Sequence, residues 1–142
     1  MKLNFIFINI ILTIFINLYN INTTFAQDSA SIIMYHRFGE PSYPSTNIQI
    51  ERFEEHLNEL KNPKYNVLGL LEVVNELKAG KALPDYAVSI SIDDAFLSVY
   101  KNAWPILKKQ NIPFTLFVAT DPIDQGLSGY MNWNQIRELK RN

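Results

Sequence analysis

The stretch "SISIDDAFLSVY", residues 89–100, ends an apolar run with two adjacent acids, Asp93 and Asp94. In the segment that leads into them, residues 87–92, aliphatic residues alternate with serines, which predicts a β-strand. In parallel α/β folds, functional groups gather at the carboxyl ends of strands. Acidic residues also cap helices, because a helix N-terminus favours negative charge. The spacing of this stretch therefore leaves two interpretations open, a functional pair and a helix cap.

Strands and helices alternate on both sides of this stretch. Apolar runs rich in β-branched and aromatic residues predict strands at 32–35, 65–70, 87–92 and 113–120. Apolar residues at helical spacing predict helices at 50–62, 71–81, 96–110 and 132–142. A strict alternation of strand and helix favours a parallel sheet built from about four βα units, which is an α/β fold.

Three local features refine this prediction. Pro105 lies inside the third predicted helix, so a break is expected near Ala103. Asn132 and Gln135 have the spacing of a capping box, which predicts the start of the last helix. Between the fourth strand and this helix, residues 121–131 contain proline and two glycines and are predicted to form a loop.

The first 26 residues differ from the rest of the chain. Lys2 is their only charge, a long apolar run follows, and small residues stand at Thr24 and Ala26, as in a secretory signal peptide. We therefore expect residues 1–26 to be removed and residues 27–142 to form one domain that is exported to the periplasm or beyond the cell. An uncleaved membrane anchor is the alternative. Without cysteine, this domain has no disulfides.

The charges of the chain are balanced, with 13 basic and 14 acidic residues. Binding to nucleic acid needs clustered positive charge, so the composition argues against it. After removal of the signal peptide, no stretch of the sequence predicts a membrane span.

Four segments together resemble the polysaccharide deacetylases of the carbohydrate-esterase class, which share the nodulation-type chitooligosaccharide deacetylase homology domain. They are "SIIMYHRFGE", "RFEEHLNELK", "SISIDDAFLSVYKNAWPILKKQNIPFTLFVATDPID" and "YMNWNQIREL". The resemblance implies a distorted (β/α) barrel, of which this chain would be the N-terminal part. It also implies hydrolysis of N-acetyl groups on an amino-sugar polymer, so that the partner would be an N-acetylated polysaccharide.

The same resemblance assigns roles to individual residues. Asp93 would be the general base and Asp94 a ligand of a divalent metal, zinc or alternatively cobalt or nickel. The chemistry is coherent, because a divalent ion polarises a carbonyl and acidifies its water while a carboxylate takes the proton. The resemblance also places Tyr35 and His36 close to the active site, as lining or supporting groups, although His36 could equally make only a local hydrogen bond. Independently of the resemblance, Tyr35 and Tyr130 could stack on sugar rings, because aromatic faces present a broad apolar surface, or pack in the core.

The chain departs from the family pattern in two places. Ala95 stands where the family has a glycine after the acidic pair, which is costly if that position needs a positive φ. The family also supplies two metal ligands from a downstream histidine motif, whereas the only histidines here are His36 and His56. We therefore expect the chain to end before that motif and to be inactive by itself.

The remaining candidates are weaker. His56, between glutamates on a predicted helix, is expected to be solvated, and Trp133 to pack in the core. Asp121 and Asp124 could lie on the catalytic rim, although turn chemistry explains them equally well. Two other functions stay open, a non-catalytic carbohydrate-binding relic of the fold and a small α/β protein whose acidic pair only caps a helix.

Overall fold

A sheet of four parallel strands runs through residues 29–141, the part of the chain that this computed structural model describes. The predicted signal peptide and Asn142 lie outside the described residues. In chain order the strands of the protein are β1 (Ser31–Tyr35), β2 (Arg37–Phe38), β3 (Asn47–Ile48), β4 (Asn66–Val67), β5 (Ala87–Ile92) and β6 (Thr115–Leu116). Strands β1, β4, β5 and β6 form the main sheet, while β2 and β3 pair separately.

Strand β5 is the centre of the main sheet. It pairs with β1 from Ser31↔Val88 to Tyr35↔Ile92, with β4 at its first two residues and with β6 at its last two. All its residues are buried, including the serines, and the Ser89 hydroxyl donates to the Leu68 carbonyl at 2.8 Å. The predicted parallel α/β arrangement is confirmed, and the sheet formed by the described residues does not close into a barrel.

Within residues 29–141, five α-helices and one π-helix accompany the sheet. They are α1 (Ile50–Leu60), α2 (Leu70–Lys78), the π-helix (Val99–Ala103), α3 (Trp104–Gln110), α4 (Thr120–Asp124) and α5 (Trp133–Arg141). Helix α1 buries Phe53, Leu57 and Leu60, the residues whose spacing predicted it. Within residues 29–141, no helix combines the length and the apolar character that a membrane span requires.

The structure differs from the sequence prediction in four elements. The strands predicted at 65–70 and 113–120 shrink to two residues each, because β4 and β6 meet β5 only at its opposite ends. The third predicted helix does not break near Ala103: it is continuous from Leu97 to Gln110 and takes π geometry over Val99–Ala103, ahead of Pro105. Residues 120–124 were predicted mostly as loop, yet they form α4, whose first turn holds an aspartate and a proline that suit a helix N-terminus.

The short segment that follows β1 is tied to the π-helix region. The Phe38 amide donates to the Ser98 hydroxyl at 3.2 Å, and the Asn102 side-chain amide donates to the Phe38 carbonyl at 2.7 Å. The Phe38 ring is fully buried and packs on Phe53 of α1, with 4.8 Å between ring centroids. These contacts fix the direction in which the chain leaves β1, at the edge of the sheet where β5 also ends.

Candidate active site

Asp93 and Asp94 form the start of a turn directly after β5. The Asp93 amide donates to the Tyr35 carbonyl at 2.9 Å, so the turn is attached to the last residue of β1. Both aspartates are half-buried. The two carboxylates therefore lie at the carboxyl edge of the central strand pair, as the sequence predicted.

His36 follows β1 and lies beside this turn. Its Nε2 is 3.9 Å from Oδ2 of Asp93, and each of the two side chains is 26% exposed. This separation is too long for a direct hydrogen bond but short enough for a charge interaction when the imidazole is protonated. The structure thus brings together a carboxylate and an imidazole that are far apart in the sequence.

The backbone of the turn is left-handed at two consecutive residues. Asp94 has φ 69° and Ala95 has φ 57°. This conformation costs an L-residue about 1–2 kcal/mol, less for aspartate than for alanine. Position 95, where the related family has glycine, does need a positive φ, and this chain adopts it with a buried alanine.

The helix-cap interpretation of the acidic pair is not supported. The helical segment begins at Leu97, so Ala95 and Phe96 separate it from Asp94. An N-cap residue immediately precedes the first helical residue and bonds to amides two or three positions further on. Neither Asp93 nor Asp94 occupies the N-cap position of this helical segment.

The described residues do not complete a metal site. Among residues 29–141, no three histidine, cysteine, aspartate or glutamate side chains converge closely enough to hold a metal ion. A catalytic zinc has three protein ligands and a water. Asp94 can supply one carboxylate donor, and His56 lies on α1, where it bonds to Tyr35.

Tyr35 has a different role from the one predicted for it. Its ring is only 7% exposed and packs edge-on against Phe53 with 5.3 Å between centroids, so no ring face is open to a sugar. Its hydroxyl is hydrogen-bonded to Nδ1 of His56 at 2.9 Å, and burial raises the pKa of Tyr35 to about 12. Tyr35 therefore packs in the core at the end of β1. His56 is exposed, as expected.

Tyr130 is brought to the acidic turn from a later segment. The backbone of Tyr130 pairs with that of Phe96 in an isolated antiparallel bridge, and the centroids of the two rings are 4.9 Å apart. Tyr130 is half-buried. Tyr130 therefore lies beside the acidic turn, and its role toward a substrate stays a prediction.

Arg37 is a member of this region that the sequence did not point to. Its guanidinium lies between two rings, 3.9 Å from the Tyr43 centroid and 3.4 Å from the Phe96 centroid. Its Nη1 also pairs with Oε2 of Glu40 at 2.8 Å. The only available indication in the sequence was its position next to His36.

The aromatic and acidic residues near α5 are also placed differently from the prediction. Trp133 is 36% exposed and not in the core, and its indole Nε1 donates to Oδ1 of Asp124 at 2.7 Å. Asp121 lies in the first turn of α4 and is exposed. The Trp133–Asp124 bond joins α4 to α5.

Several known proteins are similar to this chain. A poly-beta-1,6-N-acetyl-D-glucosamine N-deacetylase of Staphylococcus aureus is 30% identical over 132 residues, which cover 82% of this chain and 44% of that protein. The structure of IcaB from Ammonifex degensii is 31% identical, with a TM-score of 0.69, over 81% of this chain and 49% of that one. The Streptococcus pyogenes deacetylase PplD, solved in complex with acetate, is 26% identical with a TM-score of 0.69, over 79% and 52%.

No family model matches the chain. The chain spans a little under half the length of the Staphylococcus aureus relative and about half of each of the two solved structures. Each similarity extends over about four fifths of this chain, and the sequence and fold comparisons lead to the same group of proteins. By sequence and by fold, these similarities confirm the predicted resemblance to the polysaccharide deacetylases over about four fifths of this chain.

Proposed function

We propose that this protein takes part in the N-deacetylation of an N-acetylated polysaccharide, with Asp93 as the general base. The observation that carries the proposal is the position of the Asp93 carboxylate. It lies at the carboxyl edge of β5, half-buried, with the imidazole of His36 3.9 Å away. The name of the Staphylococcus aureus relative supports a poly-N-acetylglucosamine as the class of substrate.

The geometry suits proton transfer during amide hydrolysis. Asp93 would accept a proton from the water that attacks the acetyl carbonyl, and breakage of the C–N bond would release acetate and leave an amine on the sugar. The His36 ring, 3.9 Å from Oδ2 of Asp93, would help to keep the carboxylate in place. Positioned general bases contribute roughly 10²–10⁴-fold to such rates.

Asp94 is proposed as a ligand of a divalent metal, zinc or alternatively cobalt or nickel. A carboxylate is a suitable donor for such ions, and Asp94 follows the proposed base directly. Since the described residues supply fewer than three converging donors, the other ligands in this proposal come from a part of the enzyme outside residues 29–141. The printed chain alone is then expected to bind metal weakly and to release little acetate.

The surroundings of the proposed base fit a sugar polymer. Tyr130 is half-buried beside the acidic turn, and aromatic faces pack well against the apolar faces of sugar rings. The signal-like character of residues 1–26 supports export, so the substrate would be a polysaccharide of the cell envelope.

Acetate release from an N-acetylglucosamine oligomer, with zinc, cobalt or nickel added, tests the proposal. The enzyme should be assayed as the printed chain and as a version extended to the length of its relatives. In the extended enzyme, Asp93→Asn should lower kcat by roughly 10²–10⁴-fold with the metal still bound. Asp94→Asn should abolish activity through loss of the metal.

Asp85→Asn is the matched control, because Asp85 precedes the amino end of the same strand, β5, and is exposed. It removes one carboxylate without touching the site, so activity should stay at the wild-type level. Full activity of the extended Asp93→Asn enzyme would refute the role given to Asp93.

Carbohydrate binding without turnover is the second candidate function, and the incomplete set of metal donors among the described residues favours it for the printed chain. Binding of the oligomer by the extended protein, together with no acetate release under any of the three metals, would support this alternative against catalysis.

A further inference from the structure

The turn that carries the acidic pair cannot be held by its own sequence. Asp94 and Ala95 are both left-handed, and neither is a glycine. Residues in such conformations persist only where their surroundings over-determine them. The contacts of the turn should therefore show what keeps it in place.

A later segment, residues 129–131, provides these contacts on one side. The Met131 amide donates to the Ala95 carbonyl at 2.9 Å, and the Leu97 amide donates to the Gly129 carbonyl at 2.7 Å. These bonds flank the antiparallel bridge between Phe96 and Tyr130. We name residues 129–131 the turn clamp, because they bond to the backbone immediately before and after Phe96.

Arg37 holds the same turn from another segment. Its guanidinium stacks on the Phe96 ring at 3.4 Å, while the Tyr130 ring also packs on Phe96. Tyr43 and Glu40 fix the guanidinium in turn. Phe96 is consequently held by contacts with two segments that are distant in sequence.

We propose that the turn clamp consists of positioning residues: it keeps Asp94 and Ala95 left-handed and thereby sets the directions of the Asp93 and Asp94 carboxylates. The catalytic consequence rests on the proposed function, whereas the conformational one does not. The clamp also accounts for an alanine at the position of the family's glycine, because two backbone hydrogen bonds and a buried environment hold a conformation that alanine disfavours.

Gly129 allows the clamp to be weakened without a steric clash. It has φ +92°, and a Cβ added there would meet no atom within 4 Å. Gly129→Ala therefore strains the backbone that presents the carbonyl to Leu97 and changes little else. Gly126→Ala is the matched control, since Gly126 has φ +65° and equally open space, but its amide bonds to the Ile123 carbonyl and not to the acidic turn.

The first measurement is amide hydrogen exchange by NMR on the 142-residue chain. Gly129→Ala should speed exchange of the Leu97 and Met131 amides roughly tenfold, since a left-handed alanine disfavours the closed clamp. Gly126→Ala should leave both within about twofold of the wild type. Equal effects of the two substitutions, or no effect of either, would overturn the clamp.

The second measurement is acetate release by the full-length enzyme. Gly129→Ala should lower kcat roughly tenfold, because displaced carboxylates act on the reaction step. KM can change as well, because Tyr130 of the proposed sugar site belongs to the same segment. Gly126→Ala should leave both constants unchanged. Faster exchange with an unaltered kcat would overturn the positioning role. A wild-type enzyme that releases no acetate would defeat the proposed function instead, while the exchange rates would still decide whether the clamp exists.

Discussion

Strands β1 and β5 pair residue for residue, yet they differ greatly in how far their side chains are buried. Strand β5 is buried along its whole length and has strand partners on both sides. In β1, Ile32 is 54% exposed and Met34 58% exposed, and among residues 29–141 β1 has no strand partner other than β5. The proposed site lies where the two strands end, with Asp93 after β5 and His36 after β1.

The difference shows that the proposed site takes its residues from two strands that differ in burial. The strand with the most fixed surroundings carries both carboxylates, whose directions matter most for chemistry. The less covered strand contributes the imidazole and the buried Tyr35 beneath it. Substitutions on the two strands should therefore differ sharply in their effects on stability, and the predictions below use that contrast.

The largest effect is expected from one aliphatic residue on each strand. Ile90→Ala should lower the free energy of unfolding by about 2–5 kcal/mol, because Ile90 is fully buried and its truncation leaves a cavity. Ile32→Ala should change it by no more than about 0.5 kcal/mol. Urea denaturation of both variants measures the contrast, and similar losses would show that β1 is covered in solution.

Tyr35 links the less covered strand to the core, and its titration should show this at high pH. Its folded pKa lies above the unfolded value of 10.0, so its contribution to stability is complete below pH 10 and is lost as pH rises toward about 12. The loss should be about 1–2 kcal/mol in the wild type and absent in Tyr35→Phe.

Thermal unfolding at pH 8 and pH 11 measures this loss. Tyr86→Phe is the control, because Tyr86 is a largely exposed tyrosine just before β5. An equal alkaline decline in Tyr35→Phe and the wild type would assign the loss to other groups.

Helix α5 begins just after the turn clamp, which holds the turn that follows β5. The Asn132 side chain accepts a hydrogen bond from the Gln135 amide at 3.0 Å, and the Gln135 side chain accepts one from the Asn132 amide at 2.8 Å. Asn132→Ala should cost about 1 kcal/mol and Asn132→Ser much less, because serine can still cap. Urea denaturation of the two variants tests this, and equal costs would exclude the cap as the cause.

The smallest effect on stability, but a visible one on association, is expected at the outer edge of β1. Met34→Lys should change the free energy of unfolding by less than about 0.5 kcal/mol. It should nevertheless reduce self-association, since lysine on an exposed edge strand opposes edge-to-edge pairing. Leu71→Lys is the control, as Leu71 is exposed on α2, away from the edge. Size-exclusion chromatography at increasing concentration separates the two cases.

The sequence predicted the elements whose cause is local. Helix α1 follows from the spacing of its buried residues, β5 from its alternation, and the start of α5 from the reciprocal Asn132–Gln135 bonds. The lengths of β4 and β6 could not be predicted, because a strand extends only where a partner is present, and that depends on distant residues.

The features of the site can likewise be separated into those with a local cause and those that depend on distant residues. The positions of Asp93 and Asp94 at a strand end followed from the apolar run before them. Their left-handed backbone did not, since it depends on hydrogen bonds with residues 129–131. The stacking of Arg37 between two rings could not be predicted either, because Tyr43 and Phe96 are widely separated in the chain.

The π-helix has a consequence for the length of the chain in this region. Its closing bond runs from the Trp104 amide to the Val99 carbonyl, five residues back, so it contains one residue more per turn than an α-helix would. A wide turn of this kind takes up one additional residue with little change in the orientation of the parts on its two sides, because five residues of a π-turn and four of an α-turn cover a similar rotation. Ser98, just before the π-helix, and Asn102, within it, both bond to the backbone of Phe38. One residue should therefore be removed from the π-helix at less cost than from α3, where the same deletion would rotate the two sides by about 100° relative to each other.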